Sequence, residues 1–251
     1  MMRQYVGRSP YLLASVLLGL TAAVWLPLTP WALAQALPMP PDQGAPTGRQ
    51  RGGASRGDCV KYQELTALVP LVNDVVWSQT SSPTPNFFFY VSHSLTPDIP
   101  LELVVQDSED NYIFRRQFSV DAPSGILKVP VSTEGAGLLP GETYRWTFSI
   151  YCDEASPSAS VSVFGAIHRV ANSVAVEPEI KPERLLTPDT QLDLAREYAA
   201  AGLWHEAMAL TLSLYPTSSG NVEYLETLSG LLESAGIFDI VPTVLVSKVP
   251  E

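Results

Sequence analysis

The stretch LLPGETYRWTFSIYC, residues 138–152, joins a turn to a strand. From Tyr144 onward, apolar residues alternate with the polar Arg145, Thr147 and Ser149. A period of two is typical of a strand that buries one of its faces. The stretch therefore predicts a β-strand that begins just after a tight turn and ends at a cysteine.

The residues before this strand have the form Leu-x-Pro-Gly-x-x-Tyr, with Leu138, Pro140, Gly141 and Tyr144 at the fixed positions. The pattern resembles the tyrosine corner of immunoglobulin-like and fibronectin type III sandwiches. In that corner the tyrosine hydroxyl bonds to the backbone a few residues upstream. The resemblance implies that Tyr144 begins a strand of a β-sandwich.

The same period of two recurs over residues 59–170, and polar turns separate the apolar runs. Short strands joined in this way are typical of antiparallel pairing. The alternating residues are Phe87, Phe89 and Val91; Leu101, Leu103 and Val105; Tyr112, Phe114, Phe118 and Val120; and Val161, Val163 and Ile167. Six or seven such strands predict a mainly β fold with an antiparallel, immunoglobulin/fibronectin-III-like β-sandwich over 59–170.

Arg116 falls in phase with the inward residues Tyr112, Phe114 and Phe118 of this pattern. A charged side chain that faces a core needs a partner, or a bulge that turns it outward. The sequence favours a bulge or a strand edge at this position. The alternative is a buried ion pair.

Residues 1–34 have the three parts of a secretory signal peptide. Residues 1–8 carry two arginines and no acid, residues 11–28 are almost wholly apolar, and residues 32–34 (Ala-Leu-Ala) fit a cleavage site. We therefore expect export to the periplasm, to the outside or to a thylakoid lumen. The alternative is a retained membrane anchor, which prolines shorten below the span of a bilayer.

Residues 35–58 are rich in Pro, Gly, Gln and Arg. Such a segment buries too little apolar surface to offset the entropy cost of ordering, so we expect a disordered leader. Of 15 basic and 26 acidic residues, the signal peptide holds two arginines and no acid, so its removal changes the net charge from −11 to −13. This charge disfavours nucleic acid as a partner, and contact with a membrane is expected only through the transient signal peptide.

Cys59 and Cys152 are the only two cysteines of the chain, and their wide spacing excludes a Cys-x-x-Cys motif. Exported proteins fold in oxidising compartments, where disulfides persist. The sequence therefore predicts a disulfide between them. The alternative is two free thiols.

After a linker at 171–189, the apolar period becomes helical, and 190–249 is predicted to be a helical module. Thr187 or Asp189 is the expected N-cap of its first helix, which ends at Gly202. A second helix is expected to end before Pro216 and a third at Gly236.

An internal repeat runs through this module. Residues 201–204 (Ala-Gly-Leu-Trp) resemble residues 235–238 (Ala-Gly-Ile-Phe) at an offset of 34, which is the length of a tetratricopeptide repeat. The helical-repeat packing positions are Tyr198, Gly202, Trp204 and Ala207. The sequence therefore predicts a small module of tetratricopeptide-like helical hairpins.

No catalytic residue, metal ligand or cofactor is predicted. His93, His168 and His205 lie far apart, and each is expected at the surface or at a strand edge. The segment 107–111 places oxygens at alternate positions but lacks the glycine and distal glutamate of an EF-hand. A hairpin turn is favoured there over a weak calcium site. A Gly-x-Ser-x-Gly elbow and a Cys–His pair are both missing from the sequence, which favours a protein that is not an enzyme.

Several blocks of the sequence together resemble one family. They are the export signal, the Gly/Arg leader ending in Arg-Gly-x-Cys, LTALVP at 65–70, FFFYV at 87–91, the block PGETYRWTFSIYC at 140–152, and AAAGLW at 199–204. The chain is similar, over roughly 44–245, to a cyanobacterial exported family of unknown function, number 928 in the series of uncharacterised domains. The resemblance implies a cyanobacterial source and an exported location, and it brings no activity or catalytic residue.

The β-sandwich and the tetratricopeptide-like module are both architectures that commonly serve recognition. Their combination favours a non-enzymatic envelope protein that binds a protein or peptide. The alternative is a carbohydrate-binding protein or envelope enzyme whose site uses the outward aromatics Phe88, Tyr90 and Tyr151. Grouping of these rings beside a groove favours the alternative, whereas their burial under the helices favours the first hypothesis. A calcium-dependent adhesion module is a third hypothesis.

Overall fold

Alternating apolar residues form the strands of this protein, and amphipathic runs form its helices. The computed structural model describes residues 48–53, 57–132, 137–153, 159–171, 187–218, 220–238 and 246–248. The chain divides into two compact units, 1–30 and 31–251, and every described residue belongs to the second. The predicted signal peptide and most of the predicted linker lie outside the described residues.

The described strands are β1 (Thr66–Ala67), β2 (Leu71–Val72), β3 (Val75–Thr80), β4 (Asn86–Val91), β5 (Leu101–Gln106), β6 (Tyr112–Phe118), β7 (Gly125–Pro130), β8 (Thr143–Tyr151), β9 (Ser160–Arg169) and β10 (Val246–Lys248). The described α-helices are α1 (Pro188–Ala200), α2 (Trp204–Ser213), α3 (Tyr215–Ser218) and α4 (Val222–Ser234), and a 3₁₀ helix covers Gly57–Tyr62. Among the residues that the structure describes, no helix is long and apolar enough to span a bilayer.

The strands form two sheets. One has four strands in the order β1-β4-β7-β10, and the other has six in the order β2-β3-β9-β8-β5-β6. The fold is mainly β with α, as the sequence predicts. Two pairs, β3 with β9 and β7 with β10, are parallel rather than antiparallel. The sequence does not reveal this difference, because side chains alternate with a period of two in both kinds of pairing.

The inner faces of the two sheets pack against each other. Phe89 of the four-stranded sheet stacks on Phe148 of the six-stranded sheet with ring centroids 3.9 Å apart. The ring centroids of Trp146 and Phe87 are 5.5 Å apart across the same interface. Apolar residues that the alternation places inward, such as Leu103 and Val163, are fully buried here. A second apolar core lies between the helices and the outer face of the four-stranded sheet.

The turn before β8 is fixed by several hydrogen bonds. The hydroxyl of the buried Tyr144 accepts a hydrogen bond from the Leu139 N–H at 2.8 Å. Gly141, after Pro140, has a φ of +82°, a left-handed conformation that favours glycine. Its N–H donates to the carbonyl of Arg169 at 2.6 Å. Leu138 is fully buried, so the turn is anchored both to the core and to the end of β9.

Cys59 and Cys152 form the predicted disulfide, with their Cα atoms 5.3 Å apart. The bond joins the 3₁₀ helix to the end of β8 and closes a loop of 93 residues. Closure of a loop of this length removes much conformational freedom from the unfolded chain, which stabilises the fold by about 4.6 kcal/mol in the chain-entropy model.

The edge strand β6 departs from the predicted alternation. The pairing of β5 with β6 shifts register between Val105 and Gln106, as a β-bulge does. Tyr112, expected to face inward, is therefore 58% exposed. Arg116 is half-buried at this edge of the sheet, with its guanidinium carbon 5.8 Å from the ring centroid of Phe118. The shift lies before Phe114 and leaves Arg116 in phase with Phe114 and Phe118, so the strand edge rather than the bulge accommodates the charge.

Residues 48–53 differ from the expected disordered leader. Arg49 pairs with Phe164 of β9, and Arg51 pairs with Thr66 of β1. The Arg49 N–H donates to the Phe164 carbonyl at 2.7 Å, and the Gly52 N–H donates to the Leu65 carbonyl at 2.6 Å. The expectation came from the lack of apolar side chains, whereas backbone hydrogen bonds hold this segment.

The helical module begins and ends differently from the predicted range 190–249. Thr187, one of the two residues expected as N-cap, caps α1 and accepts a hydrogen bond from the Thr190 N–H, whereas Asp189 lies in the first turn. Pro216 lies inside the short α3, which the sequence does not reveal. Val246–Lys248 is a strand of the four-stranded sheet rather than part of a helix.

Replacement of Tyr144 by phenylalanine removes the hydroxyl and keeps the ring. We expect the free energy of unfolding to fall by about 1 kcal/mol, because the Leu139 N–H loses its acceptor. Urea denaturation measures the change. Tyr112→Phe, at the exposed edge of β6, is the matched control and should leave the stability unchanged. An equal loss in both variants would contradict a role for the corner hydrogen bond.

Candidate functional site

The first turn of α2 carries three consecutive polar or aromatic side chains that contact the sheets. Trp204 comes first, and its side chain is 1% exposed. Its indole Nε1–H donates to the carbonyl of Leu68, just after β1, at 2.8 Å. We call residues 204–206 the docking turn, because the side chains of all three reach the sheet side of the helix.

His205 follows and is buried in a helix, which corrects the expectation of a position at the surface or at a strand edge. Its Nδ1 lies 2.8 Å from the carbonyl of Asn86, and its Nε2 lies 2.8 Å from the hydroxyl of Ser78. A carbonyl only accepts hydrogen bonds, so in the neutral ring Nδ1 carries the proton and Nε2 accepts from Ser78. The ring therefore connects β3 to the start of β4.

Burial lowers the pKa of His205, because the charged imidazolium would lose its hydration. The Asn86 carbonyl and the neighbouring carboxylate of Glu206 oppose this shift without reversing it. The neutral ring is thus the form that fits the fold.

A serine hydroxyl that donates to a histidine resembles a nucleophile with its base. Here, however, Ser78 and His205 are 3% and 2% exposed, and a carbonyl rather than a carboxylate meets the other ring nitrogen. The cavity beside Ser78 is lined by Pro70, Trp77 and Trp204 among others and has no room for a water molecule. The pair holds the helix in place and offers no access to a substrate.

Glu206 completes the docking turn. Its Oε1 accepts four hydrogen bonds from the segment after β3: from the Thr80 hydroxyl at 2.7 Å, the Ser81 N–H at 2.9 Å, the Ser81 hydroxyl at 3.0 Å and the Ser82 N–H at 3.0 Å. Its Oε2 is buried and has no hydrogen-bond partner among the described residues. One carboxylate oxygen therefore fixes the loop that leads into β4.

Gln50 provides a second connection, which the sequence alone does not predict. Its buried side-chain amide donates to the carbonyls of Val69 at 2.6 Å and Ala235 at 2.7 Å, so it links the N-terminal segment to the end of α4. The only signal in the sequence is the pair of flanking glycines. A Cβ on Gly48 would lie 2.7 Å from Val76, and one on Gly52 would lie 2.6 Å from the Gln63 carbonyl.

The residues predicted for helical-repeat packing lie in one region. Ala207 is fully buried, and Tyr198 is half-buried against the second core. Gly202 has a φ of +76° and ends α1, and the Leu203 N–H donates to the Tyr198 carbonyl at 2.9 Å. These are the hydrogen bond and the left-handed glycine of a Schellman motif.

The same motif recurs at the second copy of the repeat. Gly236 has a φ of +74°, and the Ile237 N–H donates to the Leu232 carbonyl at 2.9 Å. The two copies differ in the next aromatic residue, because Trp204 is buried against the sheets whereas Phe238 is 78% exposed.

The outward aromatics do not form a common site. Phe88 is 2% exposed, and Tyr90 packs beside it against the second core beneath the helices. Tyr151 lies on the other sheet, and its hydroxyl donates to Oε2 of Glu102 at 2.8 Å. Arg115 contacts Oε1 of Glu102 at 2.8 Å. Burial, followed by the bond to this carboxylate, raises the pKa of Tyr151, so the phenol remains the donor.

The remaining polar candidates are also separate. His93 is exposed, and His168 stacks on Trp77 with ring centroids 5.9 Å apart. Asp107 accepts hydrogen bonds at 2.9 Å from two backbone N–H groups of its own turn, so this segment is a hairpin turn. Among the described residues, no three His, Cys, Asp or Glu side chains are close enough to hold a metal ion.

The chain was compared with known protein families. The family described as Domain of Unknown Function (DUF928) matches residues 51–245. The chain belongs to this family. The matched range contains the disulfide, the docking turn and both Schellman motifs, and it ends just before β10. No curated protein and no solved structure matches the chain.

The pH dependence of stability should report the burial of His205. Its folded pKa lies below the unfolded value of about 6.5, so the unfolded chain binds more protons as the pH falls through this range. We expect the stabilising effect of neutral His205 to be complete above about pH 6.5 and to be lost as the pH decreases toward the folded pKa. Urea denaturation at a series of pH values gives the free energy of unfolding at each pH, and hence the slope of stability against pH.

His205→Gln should flatten that slope, whereas His93→Gln, at an exposed position, should not change it. Burial also lowers the pKa of His168, so some slope of the same sign is expected to remain in the His205 variant. An identical pH profile for the His205 variant and the unmodified protein would show that the ring is not held neutral by the fold.

Glu206→Gln tests the carboxylate of the docking turn. The amide oxygen is a weaker acceptor, and the amide nitrogen adds donors to a site whose neighbours are already donors. We expect a loss of about 2 kcal/mol in the free energy of unfolding. Glu197→Gln, on the exposed side of α1, is the matched control. Equal stability of the two variants in thermal and urea denaturation would refute this role.

Proposed function

We propose that the protein is an exported, non-enzymatic component of the cell envelope that binds a protein or a peptide. An immunoglobulin/fibronectin-III-like sandwich supports a tetratricopeptide-like helical module in this proposal. The protein acts through its surfaces and needs no cofactor.

The burial of the outward aromatics of β4 is the observation that carries the proposal. A carbohydrate-binding site on a sheet uses exposed aromatic rings on which sugars stack. Phe88 and Tyr90 instead pack against the helices, and Tyr151 is on the opposite sheet. The aromatic surface is therefore used to attach the module.

The buried polar groups also favour a structural role over catalysis. The strongest candidate for chemistry, Ser78 with His205, is closed off and bonded to the backbone. Glu102 is engaged by Arg115 and Tyr151 on the face of the sheet, with both carboxylate oxygens occupied. A catalytic carboxylate needs an oxygen that can reach a substrate.

Two local geometries support the finer architecture. The Tyr144 hydroxyl bonds to the backbone of Leu139, upstream in the chain, as a tyrosine corner does. Equivalent Schellman motifs at Gly202 and Gly236 support tetratricopeptide-like hairpins. For export, the support is the pattern of residues 1–34 together with the disulfide, which suits an oxidising compartment.

Affinity capture from envelope extracts, compared with a glycan array, tests this function. The bait is the folded, oxidised protein, and the matched control is the same protein after reduction, alkylation and unfolding. We expect one or more proteins to be enriched reproducibly by the folded bait alone, and then to bind it directly in purified form. Glycan binding on the array without a direct protein ligand would reject the proposal.

A further inference from the structure

His205 lies where the two apolar cores of the protein meet. Its ring meets Phe87 of the core between the sheets in a T-shaped contact, with ring centroids 4.9 Å apart. Its neighbours in α2, Trp204 and Ala207, belong to the core beneath the helices. A charge on this ring therefore acts on the contact between the helices and the sheets.

The helices are also bound to one another. Arg196 of α1 donates to the carboxylate of Glu223 and to the hydroxyl of Thr227, both in α4, at 2.9 Å each. The buried apolar residues that α1, α2 and α4 contribute to one core include Leu192, Met208 and Leu228. These three helices can therefore move as one unit, which we call the helical layer.

The two sheets have a core of their own. The stack of Phe89 on Phe148 and the disulfide of Cys59 with Cys152 both belong to it. Parts of a protein that have separate cores commonly open one at a time. The helical layer can thus leave the outer face of the four-stranded sheet while the sheets stay packed on each other.

Protonation of His205 changes the bonding at this contact. In the neutral ring, Nδ1–H donates to the Asn86 carbonyl and Nε2 accepts from the Ser78 hydroxyl. A second ring proton on Nε2 forces the hydroxyl of Ser78 to turn and accept. The ring then carries a charge at a position that is 2% exposed, and neither nitrogen bonds to a carboxylate. A buried charge without such a partner is costly.

The groups that face His205 from the strands are uncharged. They are the Ser78 hydroxyl of β3, and the carbonyl of Asn86 and the ring of Phe87 in β4. None of these groups replaces the hydration that an imidazolium loses on burial. The strands therefore favour the neutral ring.

Glu206 is the neighbouring acid on the same helix. Its attraction for a charged ring only partly offsets the effect of burial on the pKa of His205. Its Oε1 is engaged by the segment that follows β3, including the Thr80 hydroxyl and the Ser81 N–H. Arg169, at the end of β9, donates to the Ser81 carbonyl at 3.2 Å and adds positive charge to this segment.

We propose that His205 is a pH-sensitive switch, in which protonation of the ring favours release of the helical layer from the four-stranded sheet while the two sheets stay folded. Release exposes the aromatic residues Phe88 and Tyr90, which the helices cover in the docked state. Below about pH 6.5, each pH unit favours the released state by at most about tenfold, until the docked ring also takes up a proton. The switch does not depend on the proposed binding function.

Hydrogen exchange of the full, oxidised chain measures the opening of each element. Mass spectrometry follows the amides of α2, α4 and β8 at pH 7.5 and pH 5.5, a range above the titration of ordinary carboxyl groups. Division by the chemical exchange rate at each pH gives protection factors.

We expect the protection of the slowest amides of α2 and α4 to fall by about fivefold to tenfold between the two pH values. The protection of β8 should change less than about twofold, because the sheets stay folded. No fall in α2 and α4, or an equal fall in β8, overturns the proposal.

His205→Gln removes the titrating ring. Its docked state is expected to be weaker at both pH values, but the ratio of the two protection factors of α2 should be about one. His168→Gln is the matched control, because burial also lowers the pKa of His168, which stacks on Trp77 of β3. This control should keep the full fall in α2 and α4. A fall in His205→Gln as large as in the unmodified protein would assign the effect to another group and refute the switch.

Discussion

Satisfaction of buried polar groups in the docking turn holds the helices and the sheets in one arrangement. Trp204, His205 and Glu206 are consecutive, yet they bond to Leu68, to Ser78 and Asn86, and to the loop after β3. A shift of α2 by one residue would leave several of these groups buried without partners, at a cost of roughly 1–3 kcal/mol for each group. Apolar burial alone tolerates sliding, whereas this set of hydrogen bonds permits one position.

The docking turn also decides which surfaces remain available. With α2 fixed, the outer face of the four-stranded sheet is covered, and its aromatic residues become part of a core. The outer face of the six-stranded sheet keeps polar side chains, including the ion pair of Glu102 with Arg115 and the two hydroxyls of Ser149 and Ser162, which lie 2.8 Å apart. The two outer faces of the sheets thus differ: helices cover one of them, and polar side chains lie on the other.

Local patterns in the sequence predict local structure well in this chain. Some of these patterns depend only on near neighbours: the alternation around Tyr144, the N-cap at Thr187 and the glycines at 202 and 236. The cysteines are distant in sequence, but each has only one possible partner. The features that the sequence does not reveal are set by distant contacts. His205 is 127 residues from Ser78, and Gln50 is 185 residues from Ala235. A lone histidine or glutamine carries no local sign of such a partner. Parallel pairing leaves the period of two unchanged, and the bulge beside Tyr112 shifts the phase of its strand at a point that the sequence does not mark.

The contact between Gln50 and Ala235 has a consequence for the order of folding. It joins the first described segment to the last described helix. In the same way, β3 has β9, which comes much later in the chain, as one of its two neighbours in the sheet. Contacts so distant in sequence form slowly, because the intervening chain must first be closed into a loop. Gln50 therefore lacks this partner until α4 has formed, and β3 lacks one of its neighbours until β9 has formed.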